Sequence, residues 1–223
     1  FKKALDKVDY IVISPGINIQ KTQFKLELSK NKKKLITDLD LFYIQKNPVK
    51  SIVITGTNGK STTCKLTQHI FKTNGVDALL GGNIGKPILD LKIKKNSVVI
   101  IEASSFQLAH AKFIKPTLAV ILNITNDHLD WHNTITNYKN SKLKIFSKQD
   151  GNDIALLNSK KLIKLFKKKK YSSKLRIVKR GYLNNKIKKK ITNSYLISKP
   201  NLENLEFVNQ ISRIFKIKKK IFP

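Results

Sequence analysis

Apolar residues along this chain gather in short, nearly continuous runs: Tyr10–Ser14, Ser51–Thr55, Val98–Glu102, Leu118–Asn123, Ile154–Asn158 and Leu175–Lys179. The runs are rich in Val and Ile and do not alternate with polar residues, which is how strands covered on both faces read. Segments of helical period lie between them. Lys60–Thr73 turns Cys64, Leu66, Ile70 and Phe71 toward a core and is stopped by Asn74-Gly75. Thr134–Phe146 brings Ile135, Tyr138, Lys142 and Phe146 near one face, and a third helix is expected over Asn201–Ile217. Strand alternating with helix predicts an α/β domain, a mostly parallel sheet flanked by helices. No internal repeat is visible.

Composition changes this picture little. The 223 residues are enough for one sizeable domain, or one domain with part of another, and need no disulfide or metal to fold. Basic side chains number 45 against 14 acidic ones, a formal charge of +31, yet 42 of the 45 are Lys. Ile and Asn are also abundant, at 29 and 20 residues, and all three types are favoured by AT-rich codons. Much of the charge therefore reads as compositional drift. The Lys runs at 167–170, 188–190 and 218–220 lack the interleaved Arg and aromatic residues of a nucleic-acid patch, so neither a nucleic-acid nor a membrane partner is expected. Cys64 is alone, which excludes a disulfide scaffold and fits a reducing cytoplasm. No apolar run approaches the length of a bilayer span, and Phe1–Asp9 lacks a signal-peptide core. Met is absent, so the chain does not begin at an ordinary start codon and reads as a fragment.

The densest chemistry follows the second run. Ser51–Thr55 leads into Gly56-Thr57-Asn58-Gly59-Lys60-Ser61-Thr62, a strand, a Gly-containing turn and the start of a helix. Such a turn presents successive backbone N–H groups to phosphate oxygens, and the helix N-terminus adds partial positive charge there. Lys60 can reach the β- and γ-phosphates, while Ser61 or Thr62 can place a hydroxyl on Mg²⁺. The general phosphate-loop pattern is not fully met, since its first Gly would fall at Ile54. Nucleoside triphosphate binding is the expectation.

Two more strand ends deliver polar groups to the same edge, where open parallel sheets collect ligands. Val98–Ile101 ends in Glu102, a carboxylate able to face the same Mg²⁺. Leu118–Asn123 runs into Asp127, His128, Asp130 and His132. The two histidines are four apart, a spacing zinc can use on a helix, but no third ligand accompanies them. His69 and His110 read as structural or surface residues.

Taken together, Gly56–Thr62, Gly81-Gly82-Asn83-Ile84-Gly85, Glu102-Ala103-Ser104-Ser105-Phe106-Gln107-Leu108 and Asn123–Asp130 resemble the Mur ligases, colinearly from about Tyr10 to Phe215. The Gly-Gly-Asn-Ile-Gly and Ser-Ser-Phe-Gln-Leu elements resemble most the members that add D-glutamate to UDP-N-acetylmuramoyl-L-alanine. The resemblance implies that residues 1–46 end an N-terminal domain holding the UDP part of the substrate. Residues 47–215 would form the central ATP-binding domain, and 216–223 would begin a truncated C-terminal domain. It further implies that Gly56, Thr57, Asn58, Gly59, Lys60, Ser61, Thr62, Asn201 and Asn204 bind ATP, the two asparagines near adenine. Ser14, Pro15, Gly16, Asn83, Ser104 and His128 would contact the muramoyl substrate. Ser61, Glu102, His128 and a carbamylated Lys142 would hold two Mg²⁺ ions, with Lys60, His128 and Lys142 in catalytic roles. A buried Lys has its amine pushed toward neutrality, and a neutral amine can capture CO₂. One departure is Pro200, where the family usually carries His.

The implied reaction is ATP-dependent amide formation through an acyl phosphate, a cytoplasmic step of peptidoglycan synthesis by a monomer. The rivals are another Mur or folylpolyglutamate-type ligase, a fragment that binds nucleotide without turnover, and a nucleic-acid motor suggested by charge alone. Isolated residues 1–223 are expected to bind ATP–Mg²⁺ weakly and to ligate little.

Overall fold

The computed structural model describes residues 2–45, 49–179, 183, 191 and 193–217. The Lys runs at 188–190 and 218–220, and the boundary expected after residue 46, lie outside them. In chain order the elements are α1 (Lys2–Lys7), β1 (Ile11–Val12), α2 (Lys25–Lys30), β2 (Leu35–Ile36), α3 (Asp38–Gln45), β3 (Lys50–Thr55), α4 (Lys60–Thr73), β4 (Ala78–Gly82), β5 (Val98–Glu102) and α5 (Ser105–His110). There follow β6 (Leu118–Ile121), α6 (Leu129–His132), α7 (Ile135–Leu143), β7 (Ile154–Leu157), α8 (Lys160–Lys168), β8 (Lys174–Ile177) and two further helices, Ser194–Ile197 and Lys199–Ile214.

Six strands form one parallel sheet in the order β4-β5-β3-β6-β7-β8. The inner apolar runs are continuous because each face has its own cover; the run at Leu175–Lys179, expected to be buried, is instead the edge strand β8 and largely exposed. Val53, Val99, Ile101, Ala119, Ile121, Ala155 and Leu157 face α3, α5 and α8 through Leu39, Phe42, Leu108, Leu162 and Phe166. The alternate residues Ile52, Ile54, Ile100, Val120 and Leu156 face α4 and the Lys199–Ile214 helix through Cys64, Ile70, Phe71, Phe207, Val208 and Ile211. Successive side chains of a strand point to opposite faces, so one unbroken run fills two cores. Truncating one of these residues, as in Ile100→Ala, removes about 2–5 kcal/mol.

Several elements differ from the sequence reading. The first run does not join the main sheet; β1 pairs in parallel with β2 in a separate two-stranded sheet. Tyr10 and Val12 are exposed there, while Ile13 packs with Ile19, Leu28 and Leu35, so this run is covered on one face only. Strand β4 is an addition. At its end Gly82 (φ +96°) lies so close to strand β5 that a Cβ would strike the Glu102 carbonyl. Helix α4 has the expected limits. The helix expected over Thr134–Phe146 is α for Ile135–Leu143, capped by the Thr134 side chain, and finishes as a 3₁₀ turn over Lys144–Phe146. The last helix begins earlier, at Lys199, with Pro200 in its first turn, where a missing N–H costs nothing.

Candidate functional site

The central strand β3 delivers the Gly56–Gly59 turn to one rim of the sheet, with the ends of β5 and β6 on either side. At the end of the turn Gly59 has φ +84°, and no side chain caps α4. A Cβ there would run into the Asn204 amide, which fixes glycine at this position. The first N–H groups of α4 therefore have neither an intrahelical partner nor a cap.

Two lysines converge on the carbonyl of Gly56. Lys60 Nζ donates to Gly56 O (3.0 Å) and Thr57 O (2.9 Å). Lys142 Nζ donates to the same Gly56 O (2.9 Å) and to Thr55 Oγ1 (3.3 Å). Lys142 is 1% exposed and stands 4.7 Å over the Tyr138 ring. Burial, and then the neighbouring Lys60 charge, pull its amine down to about 7, while Asp127 pulls the other way. Among the described residues neither lysine has an ion-pair partner.

Glu102 lies beside the loop, paired in register with Ile54 and 1% exposed. The next residue is tied to β3 twice, through Ala103 N–H to Ile54 O (3.0 Å) and Thr55 Oγ1 to Ala103 O (2.7 Å). Asn83 Nδ2 donates to Glu102 Oε1 (2.8 Å), and Asn83 N–H to the Glu102 carbonyl (2.8 Å). The other carboxylate oxygen, Oε2, is buried without a hydrogen-bond partner. A buried, unsatisfied carboxylate oxygen is costly unless a cation takes it. No three His, Cys, Asp or Glu side chains converge among the described residues, so an ion here would draw on Glu102, hydroxyls and phosphate oxygens.

On the other flank, Asn123 follows β6. Its Oδ1 accepts from Thr57 N–H (3.1 Å) and Asn58 N–H (2.9 Å), its Nδ2 donates to Asn58 O (3.0 Å), and its carbonyl also accepts from Thr57 N–H (3.0 Å). Thr57 Oγ1 meets Thr125 and the Tyr138 hydroxyl (3.0 Å), which joins the loop to α7 and so to Lys142. The amides of Thr57 and Asn58, expected to turn inward to phosphate, are here engaged by Asn123.

His128 sits in left-handed conformation (φ 51°) at the start of α6, exposed, with its ring near Phe106, Tyr138 and Asp127. It makes no hydrogen bond to Lys60, Glu102 or Lys142 among the described residues. His132 is buried instead, its Nε2 3.0 Å from Ser105 Oγ, and burial followed by the charges of His128 and Lys142 lowers its pKa to about 4. Ser104 caps α5. Asn201 and Asn204 are buried and bonded to each other (3.1 Å), and with Asn58, Gly59, Thr62 and Tyr195 they line a cavity of about 370 Å³. Ser61 is half-buried in the first turn of α4. Ser14, Pro15 and Gly16 stand on the turn after β1, which docks on α6 through Asn18 and Lys21 and not on the phosphate loop. The residues the sequence reading passed over are Thr55, Tyr138 as a loop partner, and Asn123 as its strap. A polar residue directly after a buried strand was the available signal.

Residues 54–222 match the model of the Mur ligase middle domain. The chain belongs to the Mur ligase family. It is 40% identical over 153 residues to the UDP-N-acetylmuramoylalanine--D-glutamate ligase of Citrifermentans bemidjiense (67% of this chain, 33% of that protein). It is 43% identical over 152 residues to the ligase of the same name from Rickettsia bellii (68% and 33%). The chain thus spans about a third of the length of these curated relatives. Among solved structures it resembles the MurF ligase from Thermotoga maritima in complex with ADP, with TM-score 0.59 and 15% identity over 97% of this chain and 63% of that one. It also resembles Helicobacter pylori folylpolyglutamate synthetase, with TM-score 0.57 and 15% identity over 82% and 60%. At such identities the likeness shows the shared fold.

Proposed function

We propose that this chain carries the ATP site of a ligase that joins D-glutamate to UDP-N-acetylmuramoyl-L-alanine. One observation supports this above the rest. Among the described residues Lys60 has no ion-pair partner and stands at an uncapped helix N-terminus, next to a carboxylate with an unsatisfied oxygen. Uncompensated positive charge in a partly buried site suits a polyanion. The names of the similar curated ligases favour the D-glutamate reaction over other family members.

In this reading the L-alanyl carboxylate attacks the γ-phosphorus and ADP leaves, giving an acyl phosphate. The D-glutamate amine then attacks the acyl carbon, phosphate leaves, and the amine's proton passes to solvent. The chain's part is positioning and charge neutralisation. Lys60 would face the β- and γ-phosphate oxygens, the amides from Gly59 onward would hold the phosphate chain, and Asn201 and Asn204 would flank the adenine. Asn83, Ser104 and His128 would contact the muramoyl substrate, with Ser14, Pro15 and Gly16 toward its UDP end. Glu102 and Ser61 would hold one Mg²⁺, which when bound neutralises phosphate charge. His128 and Lys142 are the residues offered to a second ion. An amine near neutrality, as burial makes that of Lys142, can form a carbamate with CO₂. We place the reaction in the cytoplasm; no helix of the described residues is long and apolar enough to cross a membrane.

Calorimetry of the 223-residue chain with a non-hydrolysable ATP analogue and Mg²⁺, against Lys60→Ala, tests the nucleotide site; equal binding by both would reject it. For the substrate, phosphate release from ATP is measured with UDP-N-acetylmuramoyl-L-alanine and D-glutamate against other amino acids. Release with another acid or amine, and none with this pair, would move the assignment to a different ligase of the family.

A further inference from the structure

Side chains that touch a phosphate loop usually face its ligand, whereas Asn123 touches only the loop's backbone. All three of its side-chain bonds go to main-chain atoms of Thr57 and Asn58: two N–H groups accepted by one oxygen, and one carbonyl met by the amide nitrogen. The strand before it is buried and paired on both sides, so the strap is anchored to the interior of the sheet. Thr57 is gripped a second time through its hydroxyl, by Thr125 and Tyr138. Gly59 and the first turn of α4, only two residues further on, have no comparable side-chain contact to their N–H groups.

We propose that Asn123 is a positioning residue that divides the loop in two: it pre-forms Thr57–Asn58 and withholds their amides, so that phosphate is received only from Gly59 onward. The inference rests on the nucleotide reading above. Its physical basis is preorganisation. A loop held in its binding shape by the protein's own bonds loses less conformational freedom when the ligand arrives. Asn suits the task because its amide offers an acceptor and a donor on one planar group, matching the N–H groups and the C=O of one short backbone segment.

The test combines amide hydrogen exchange followed by NMR with nucleotide titration, on the 223-residue chain and on Asn123→Ala. In the unaltered chain without nucleotide, the Thr57 and Asn58 amides are expected to exchange slowly. In Asn123→Ala the Asn58 amide exchanges fast, while Thr57 N–H, still held by the residue-123 carbonyl (3.0 Å), changes less. ATP affinity falls about 10-fold, as for loss of one or two hydrogen bonds, and adenosine measured by competition is unchanged. The adenosine arm separates positioning of the loop from general loosening, which would weaken both ligands. Should the alanine variant fail to fold, Asn123→Asp keeps the two acceptor contacts, and its Thr57 and Asn58 amides must stay slow. Fast exchange at these amides in the unaltered chain or in Asn123→Asp, or undiminished ATP affinity in Asn123→Ala, overturns this proposal alone. Absence of ATP binding by the unaltered chain overturns the nucleotide reading and this inference with it.

Discussion

Helices α4 and α5 start at the same rim of the sheet, after neighbouring strands, and are finished in opposite ways. At α5 the Ser104 hydroxyl accepts from Gln107 N–H (3.2 Å) while the Gln107 side chain accepts from Ser104 N–H (3.1 Å), a complete capping box. Helix α7 is likewise closed by Thr134 on Asn137 N–H (3.1 Å). Helix α4 begins at a glycine in left-handed conformation, whereas a capping residue takes an extended one, so the usual cap is excluded by backbone shape. A cap contributes about 1 kcal/mol, and α4 forgoes it. Capped ends serve stability; on the nucleotide reading proposed above, the open end of α4 keeps its donors for an anion from outside the chain.

The sharpest way to break this contrast is Lys60→Ala. Charge-assisted bonds to phosphate are each worth about 1.5–3 kcal/mol, so ATP affinity should fall about 10- to 100-fold by calorimetry with the melting temperature nearly unchanged. A large loss of stability instead would mark Lys60 as a structural strap on Gly56 and Thr57.

Next comes acid, which acts on the closed side. The His132 pKa, held near 4 in the fold, returns to about 6.5 on unfolding, so the unfolded chain takes up the proton first. The contribution is full above about 6.5 and is lost as pH falls toward 4. Denaturant melts across that range should show the decline, and His132→Gln should make it shallower. Some slope should remain, because His110 is also held near 4, by burial and then by Lys144. An unchanged slope in the variant would put the acid sensitivity elsewhere.

Smaller effects separate the two helix starts most cleanly. Gly59→Ala should cost about 1–2 kcal/mol for the left-handed backbone alone, besides the collision with Asn204, and should weaken ATP. Ser104→Ala should cost about 1 kcal/mol in thermal melts and leave ATP affinity as it was. If Ser104→Ala weakened nucleotide as much as Gly59→Ala, the division between open and closed ends would fail.

How much of this was readable in advance follows from what each residue does locally. The runs at Ser51–Thr55 and Val98–Glu102 announce themselves because both faces are buried, and α4 because Gly59 and Asn74-Gly75 punctuate it. Strand β4 hides behind Gly81-Gly82, which offer no apolar run; Gly82 is set by close contact with Glu102 and Gly81 by contact with Lys86 and Leu91. Strand β2 is two residues long and follows a Lys-rich 3₁₀ turn, too short for any period to register. In the site, the contiguous Gly56–Thr62 segment and the acid at a strand end are legible as chemistry. The bond of Tyr138 to Thr57 and the strap from Asn123 join positions 81 and 65–66 residues apart, and no local pattern encodes them.

The strand order has a consequence for synthesis. The groups that brace the phosphate loop, Ala103 and Asn123, follow it by 48 and 66 residues. At roughly 5–20 residues per second, a ribosome needs on the order of 3–13 s to make the stretch from Thr57 to Asn123. During that interval the growing chain holds a loop with no walls, and parallel neighbours cannot be supplied by a tight local turn. Hydrogen-exchange protection of the loop amides in nascent chains of graded length would therefore time the arrival of β6.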